Sequence, residues 1–165
     1  MITVCDASPL IFLCKVDCLQ LVADLLDGVL LIPDDVEREL FEGSVEPAEA
    51  ETLRYFLKER CRIVRIRPSG FRASALSRPD RTVLTLAKRE GGDRVLSDDR
   101  LLRDLSEVEG CKPIGTLGLL LAALRKRLMT KKETRSALHE LIRKHGFRIS
   151  IELYEAVLTE IEKAR

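Results

Sequence analysis

The most constraining feature of the chain is how it opens. Four residues of strand-forming character, Ile2–Cys5, run into Asp6, and after Ala7 and Ser8 come Pro9 and the apolar helical run Leu10-Ile11-Phe12-Leu13. A carboxylate is thereby set where a buried strand stops and a helix starts. In a parallel α/β sheet that edge is where ligands and metals gather. Further strands of the same kind recur along the chain. Val29-Leu30-Leu31-Ile32 lies between Gly28 and Pro33 as a fully apolar run, which suits a strand buried on both faces. Residues 62–66, 94–97 and 112–115 continue the series. Between them the apolar spacing predicts helices over 8–26 (broken near Asp17), from Pro33 to Gly43, and over 46–60. After a loop at 67–78, Ser77-Arg78-Pro79-Asp80 starts a helix that Gly91-Gly92 stop, and a helix over 99–108 precedes the last strand. Three more helices are expected at 116–128, 131–144 and 150–163.

Strands alternating with helices in this way predict an α/β fold: a central parallel sheet of about five strands with helices on both faces. The 165 residues carry no repeat and no linker long enough to split them, so the expectation is one domain over 1–165. The C-terminal helices, 116–165, are expected to pack on the sheet or to form an appended layer. A net charge of +1 means that any affinity for nucleic acid must come from a local patch. The longest apolar runs, at 10–13 and 117–124, fall well short of the ~18 residues of a membrane span. With no basic leader at its start, the protein is expected to be cytoplasmic. Five scattered cysteines without a CxxC pair argue against a disulfide framework and a zinc ribbon. Cys14 and Cys18, spaced to share a helix face, are better explained as small apolar residues than as soft-metal ligands.

Acidic residues fall at structurally similar places. Asp6 ends the first strand and Asp98 and Asp99 end the fourth; Asp80 lies in the first turn of the helix before that strand, and Glu39 inside the helix after the second. If the first and fourth strands are neighbours, these carboxylates converge on one cleft. Converging carboxylates repel, and hard divalent cations neutralise them through oxygen ligands. Mg²⁺ or Mn²⁺ is therefore the implied cofactor, since no His or Cys cluster favours zinc or copper. Such an ion activates water and stabilises charge on a phosphodiester. Each acid also has a plainer role available. Asp80 can serve the helix dipole, Asp98 or Asp99 can cap a helix, and Glu39 can be a solvated helix acid. Asp6 is the hardest to explain away.

The segments Asp6-Ala-Ser8-Pro-Leu10, Ile32-Pro33, Val36-Glu-Arg-Glu39-Leu40, Leu76-Ser77, Asp80-Arg-Thr-Val83-Leu84-Thr-Leu86-Ala87 and Val95-Leu-Ser97-Asp98-Asp99 follow one another in an order that resembles the PIN-domain (VapC-like) nucleases. Ile114-Gly115-Thr116-Leu117-Gly118, then Gly146-Phe147-Arg148-Ile149-Ser150 and Leu153-Tyr154, resemble the prokaryotic subfamily DUF3368. The resemblance covers nearly the whole chain. It implies a three-layer, Rossmann-like α/β/α sandwich and a Mg²⁺- or Mn²⁺-dependent endoribonuclease leaving a 5′-phosphate and a 3′-hydroxyl. It also implies RNA as substrate and, from many relatives, a homodimer and the toxin half of a toxin–antitoxin pair, with an antitoxin protein as partner. Under it Asp6, Glu39, Asp80 and Asp99 match the family's acids, with Asp98 beside the last, and Ser8 matches a supporting hydroxyl. The last acid of the family follows a Ser or Thr by two residues, which is Ser97 here. Many members carry two acids around the third position; here the later one is Thr82, so Asp80 stands alone.

Arg38, Arg81, Arg100 and Arg103 flank the acids and are the candidates to line an RNA-binding rim. The denser cluster, Arg125-Lys126-Arg127 with Lys131-Lys132, reads first as a solvated helix end. His139 and His145 are expected at the surface, and seven aromatics offer no stacking platform. The leading expectation is a metal-dependent ribonuclease. Its rivals are a catalytically weak or inactive PIN-like module that binds RNA or protein, and a metal-dependent phosphatase-like enzyme.

Overall fold

The computed structural model describes residues 1–43, 45–70 and 75–164. Its sheet is formed by β1 (Ile2–Cys5), β2 (Val29–Pro33), β3 (Cys61–Val64), β4 (Arg94–Leu96) and β5 (Lys112–Ile114). They lie in the order β3-β2-β1-β4-β5, every pair parallel. The central position of β1 explains its composition, since Thr3, Val4 and Cys5 have no exposed surface. It also explains why β2 is apolar throughout, with Leu30–Pro33 buried one after another.

The chain lays β2 and β3 on one side of β1, then crosses back and lays β4 and β5 on the other. Its switch point is therefore the β1–β4 pair, with Val4 opposite Val95 and Cys5 opposite Leu96. The ladder runs on past the last paired residue, because Asp6 N donates to the Leu96 carbonyl at 2.9 Å. The two carboxylate-bearing strand ends are thus held side by side by backbone geometry alone.

Helices α1 (Ala7–Lys15), α2 (Gln20–Leu25), α3 (Asp34–Glu42), α4 (Pro47–Arg60), α5 (Arg78–Glu90) and α6 (Arg100–Val108) flank the sheet. The segment expected at 8–26 is two helices because Asp17 takes a left-handed φ of 55°, which reverses the chain after Cys14. Helix α3 packs against α1 on one hand and α5 on the other. The helices that carry Glu39 and Asp80 are consequently neighbours. Strand β3 ends at Val64, short of the expected 66, because Ile66 N leaves the ladder and donates to Asp34 Oδ1 at 3.1 Å. Of the expected loop at 67–78, residues 71–74 lie outside the described ones.

Three helices follow the sheet: α7 (Thr116–Arg125), α8 (Lys131–Lys144) and α9 (Ile151–Lys163). Helix α7 stops at Arg125 and not at 128, where Leu128 N turns back to the Ala123 carbonyl and Arg127 adopts a φ of 59°. Leu119, Leu120 and Ala123 of α7 join the main core, while Leu124 meets Leu138, Val157 and Ile161 in a smaller core of its own. Ala137 and Leu141 of α8 also join the main core, so the terminal helices pack on the body of the domain as well as on one another.

Gly28, which opens β2, has a φ of +103°, and a Cβ there would stand 2.0 Å from the Met1 carbonyl oxygen. Backbone conformation and contact both exclude a side chain. A Gly28→Ala variant should lose on the order of 1–3 kcal/mol of stability, read as a lower urea midpoint with an unchanged m-value.

Candidate functional site

The site forms at the C-terminal edge of β1 and β4. Asp6 is the N-cap of α1, and its carboxylate is 5% exposed. Its Oδ1 accepts from Ala7 N at 2.8 Å. Its Oδ2 accepts from the Ser97 hydroxyl at 2.9 Å and from the Ser8 hydroxyl at 3.3 Å. Ser97, itself fully buried, also accepts from Asp99 N at 3.1 Å, so one hydroxyl joins the ends of both strands. Ser8, expected beside the first acid, lies at the longer distance, and Ser97, read from the sequence as the residue two before the last acid, makes the shorter bond.

Among the described residues no guanidinium or ammonium pairs with the Asp6 carboxylate. Burial pushes its carboxyl up to about 7, against the pull of the Ser97 and Ala7 hydrogen bonds, and the nearby charges of Asp80 and Glu39 push it further. Glu39, on the outer face of α3, is itself raised, by partial burial first and then by Asp80 and Glu42. Asp80 is half-buried, and its Oδ2 accepts from Ser77 N at 2.8 Å in a capping box that starts α5. Asp6, Glu39 and Asp80, drawn from three elements, therefore act on one another electrically.

The adjacent pair Asp98-Asp99 divides its work. Asp99 is exposed and caps α6, with Oδ1 accepting from Leu102 N at 2.7 Å. Asp98 turns away towards α7, where its two oxygens accept from Thr116 N at 2.8 Å and from the Thr116 hydroxyl at 2.6 Å. Burial raises its pKa in spite of those bonds. This approach needs Gly115, since a Cβ there would stand 2.7 Å from Asp98 Oδ1. Asp98 is thus a tie between the end of β4 and the start of α7. Thr82 is fully buried, with its hydroxyl on the Pro79 carbonyl at 2.6 Å.

The flanking arginines differ in how firmly they are held. Arg100 is 95% exposed and lies 3.9 Å from Asp104, and Arg103 is exposed beside Asp98. Arg81 is half-buried, and its Nε has no hydrogen-bond partner among the described residues. Arg38 is bonded to Asp35, a carboxylate with 4% side-chain exposure that also takes Arg78 Nε at 2.8 Å. Asp35 and Arg78 escape a reading of the sequence. Asp35 looks like one more acid in a first helical turn, and its partner lies 43 residues away.

Elsewhere the basic cluster and the histidines take structural roles that differ from those expected. Arg125 pairs with Glu160 at 3.1 Å, and Lys131 Nζ reaches the Glu162 carbonyl at 2.6 Å, so the basic cluster fastens α9. His139 is half-buried rather than at the surface, 3.0 Å from the Tyr154 hydroxyl, and His145 lies 3.7 Å from Glu140. Cys14 Sγ faces the Glu49 carbonyl at 3.7 Å.

A family model described as DUF3368, a PIN domain, matches residues 2–163. The fold is similar to that of a PilT N-terminus domain protein from the hyperthermophilic archaeon Sulfolobus solfataricus P2, with a TM-score of 0.56. The two share 10% identity, over 75% of this chain and 94% of that one. At that identity the likeness is one of fold. No curated protein matches the chain.

Asp6 also sets a pH dependence. Its folded pKa of about 7 lies above its ordinary value of 3.8, so the folded state holds the proton more tightly than the unfolded chain does. Its contribution is present below pH 3.8 and is lost as pH rises through about 7. In metal-free buffer the thermal midpoint of Asp6→Asn, relative to wild type, should therefore climb between pH 4 and 7 and level off above; a constant difference would refute the assignment.

Proposed function

The chain belongs to the DUF3368 family of PIN domains, and on that premise we propose that it is a Mg²⁺- or Mn²⁺-dependent endoribonuclease. The observation that carries this reading is Asp6: a buried carboxylate at the switch point, with two further acids acting on it and no ion pair to it among the described residues. An arrangement of that kind costs stability and is found where charge is put to use.

The donor chemistry fits a hard divalent cation, since every acid of the cluster offers carboxylate oxygen and each would be relieved of its neighbours' repulsion. Among the described residues no three His, Cys, Asp or Glu side chains stand close enough to hold an ion as they are. Asp6 is fixed by Ser97 and Ser8 and Asp99 is engaged as the cap of α6, whereas Glu39 is exposed. In this proposal Asp6, Glu39, Asp80 and Asp99 hold the ion, Asp6 as the rigid member and the others closing on it. A divalent ion so held supplies activation of water and neutralisation of the phosphodiester's charge. Ser97 keeps Asp6 and the start of α6 in register, and Ser8 directs the second lone pair of the same oxygen. Asp98 keeps β4 and α7 together and stays out of the ligand set.

RNA as substrate, a homodimer, an antitoxin partner and a cytoplasmic setting belong to the same proposal, supported by the family. Among the described residues no helix is long and apolar enough to cross a membrane. A second reading, a PIN-like module that binds RNA or protein without cutting it, is favoured by Thr82. Its buried side chain cannot serve as the extra acid that many relatives carry.

Purified protein should cleave single-stranded RNA in Mn²⁺ and not in EDTA. Asp6→Asn should retain its fold and lose more than about 100-fold in rate, and Ser97→Ala about 10–100-fold, the range for a partner that orients a metal ligand. RNA binding by wild type with no cleavage in Mn²⁺ would establish the second reading instead.

A further inference from the structure

The acid cluster explains where a phosphodiester could be attacked but not how it is brought there, since carboxylates repel it. Two guanidiniums are tied by ion pairs on the helices that carry Glu39 and Asp80. Arg78 is two residues before Asp80 on α5, and Arg38 directly precedes Glu39 on α3. Both are held by Asp35, which lies one helical turn before Glu39. Arg78 gives Asp35 only its Nε, at 2.8 Å, and the side chain is 61% exposed. Its terminal amino groups, four of its five N–H donors, are therefore not needed by that bond. Arg38 gives Asp35 one terminal nitrogen and is 58% exposed.

Burying a carboxylate to hold two exposed arginines is a poor way to join helices. An apolar contact would do so at lower cost, and α3 and α5 already bury Val36, Leu40, Val83 and Leu84. The arrangement does have one clear effect: it removes rotamer freedom from two long cations on the helices that carry Glu39 and Asp80, and a fixed guanidinium fork matches phosphate oxygens. Asp34 lies 3.9 Å from Arg38 and adds a second negative charge, but its Oδ1 is engaged by Ile66 N.

We propose that Asp35 is an anchor that presents Arg78, with Arg38 beside it, to the backbone phosphates of the RNA substrate at the edge of the acid cluster. The inference rests on the ribonuclease reading for the identity of its ligand. A merely structural tie between α3 and α5 is the competing explanation, and binding can tell them apart.

The experiment measures binding of a fluorescent single-stranded RNA by anisotropy in EDTA, across a KCl series, below the melting temperature of every variant. Arg78→Gln should weaken binding several-fold and flatten the dependence of log affinity on log salt by about 0.7 for each phosphate no longer neutralised. Arg78→Lys should restore the salt slope with only part of the affinity. Asp35→Asn keeps both cations, and should weaken binding while leaving the slope intact. The proposal is overturned if Arg78→Gln and Asp35→Asn lower thermal stability alike and neither changes the slope. It is equally overturned if wild type has no measurable affinity for RNA. Cleavage in Mn²⁺ is scored separately. An Arg78-dependent slope without cleavage sinks the ribonuclease reading alone, and cleavage with an unaltered slope in Arg78→Gln sinks this one alone.

Discussion

One backbone hydrogen bond, from Asp6 N to the Leu96 carbonyl, fixes the frame of reference for everything at the functional edge. It closes the parallel pairing of β1 with β4 at the last residue before each strand gives way to a turn. Parallel strands point their ends the same way, so adjacent ends bring whatever follows them together. Here that is a carboxylate on one side and a hydroxyl, Ser97, on the other, already within bonding distance at 2.9 Å. No loop rearrangement is needed to assemble this half of the site. The other half rides on α3 and α5, where Asp80 is held in its capping box and Glu39 is the exposed member.

Two carboxylates in this small region are almost wholly removed from water, and they are treated in opposite ways. Asp35 is given two guanidiniums. Asp6 is given hydroxyls and an amide, which satisfy its oxygens without cancelling its charge. Hydrogen bonds of that sort orient a carboxylate; a cation or a proton is needed to neutralise it. The contrast separates an acid that holds other side chains from an acid left with charge to offer, although both look alike as letters in a sequence.

Most of the fold was legible from apolar runs bounded by Gly and Pro, as with Val29–Ile32 between Gly28 and Pro33, because a parallel strand covered on both faces tolerates little else. The acids were legible for a related reason, since Asp6 and Asp98-Asp99 sit where such runs stop. What could not be read was direction. Nothing in the dipeptide Asp98-Asp99 tells which carboxylate caps α6 and which crosses to Thr116; that depends on the path of α7, set by packing against α1 and α2. The reversal at Arg127 was invisible for the same reason, arginine having no local preference for a positive φ. The Asp35–Arg78 bond joins segments whose proximity exists only once β3 has crossed back to β4.

The clasp at the end of β4 has a consequence for inheritance. Asp98 can reach the amide and hydroxyl of Thr116 only because position 115 carries no side chain. Three neighbouring choices, a carboxylate, a missing Cβ and a hydroxyl, are therefore a single character spread over three codons. A lineage that altered one of them would keep an orphaned polar group until the others followed. Such lineages should either retain the trio intact or replace it as a set, joining the end of β4 to α7 by some other means.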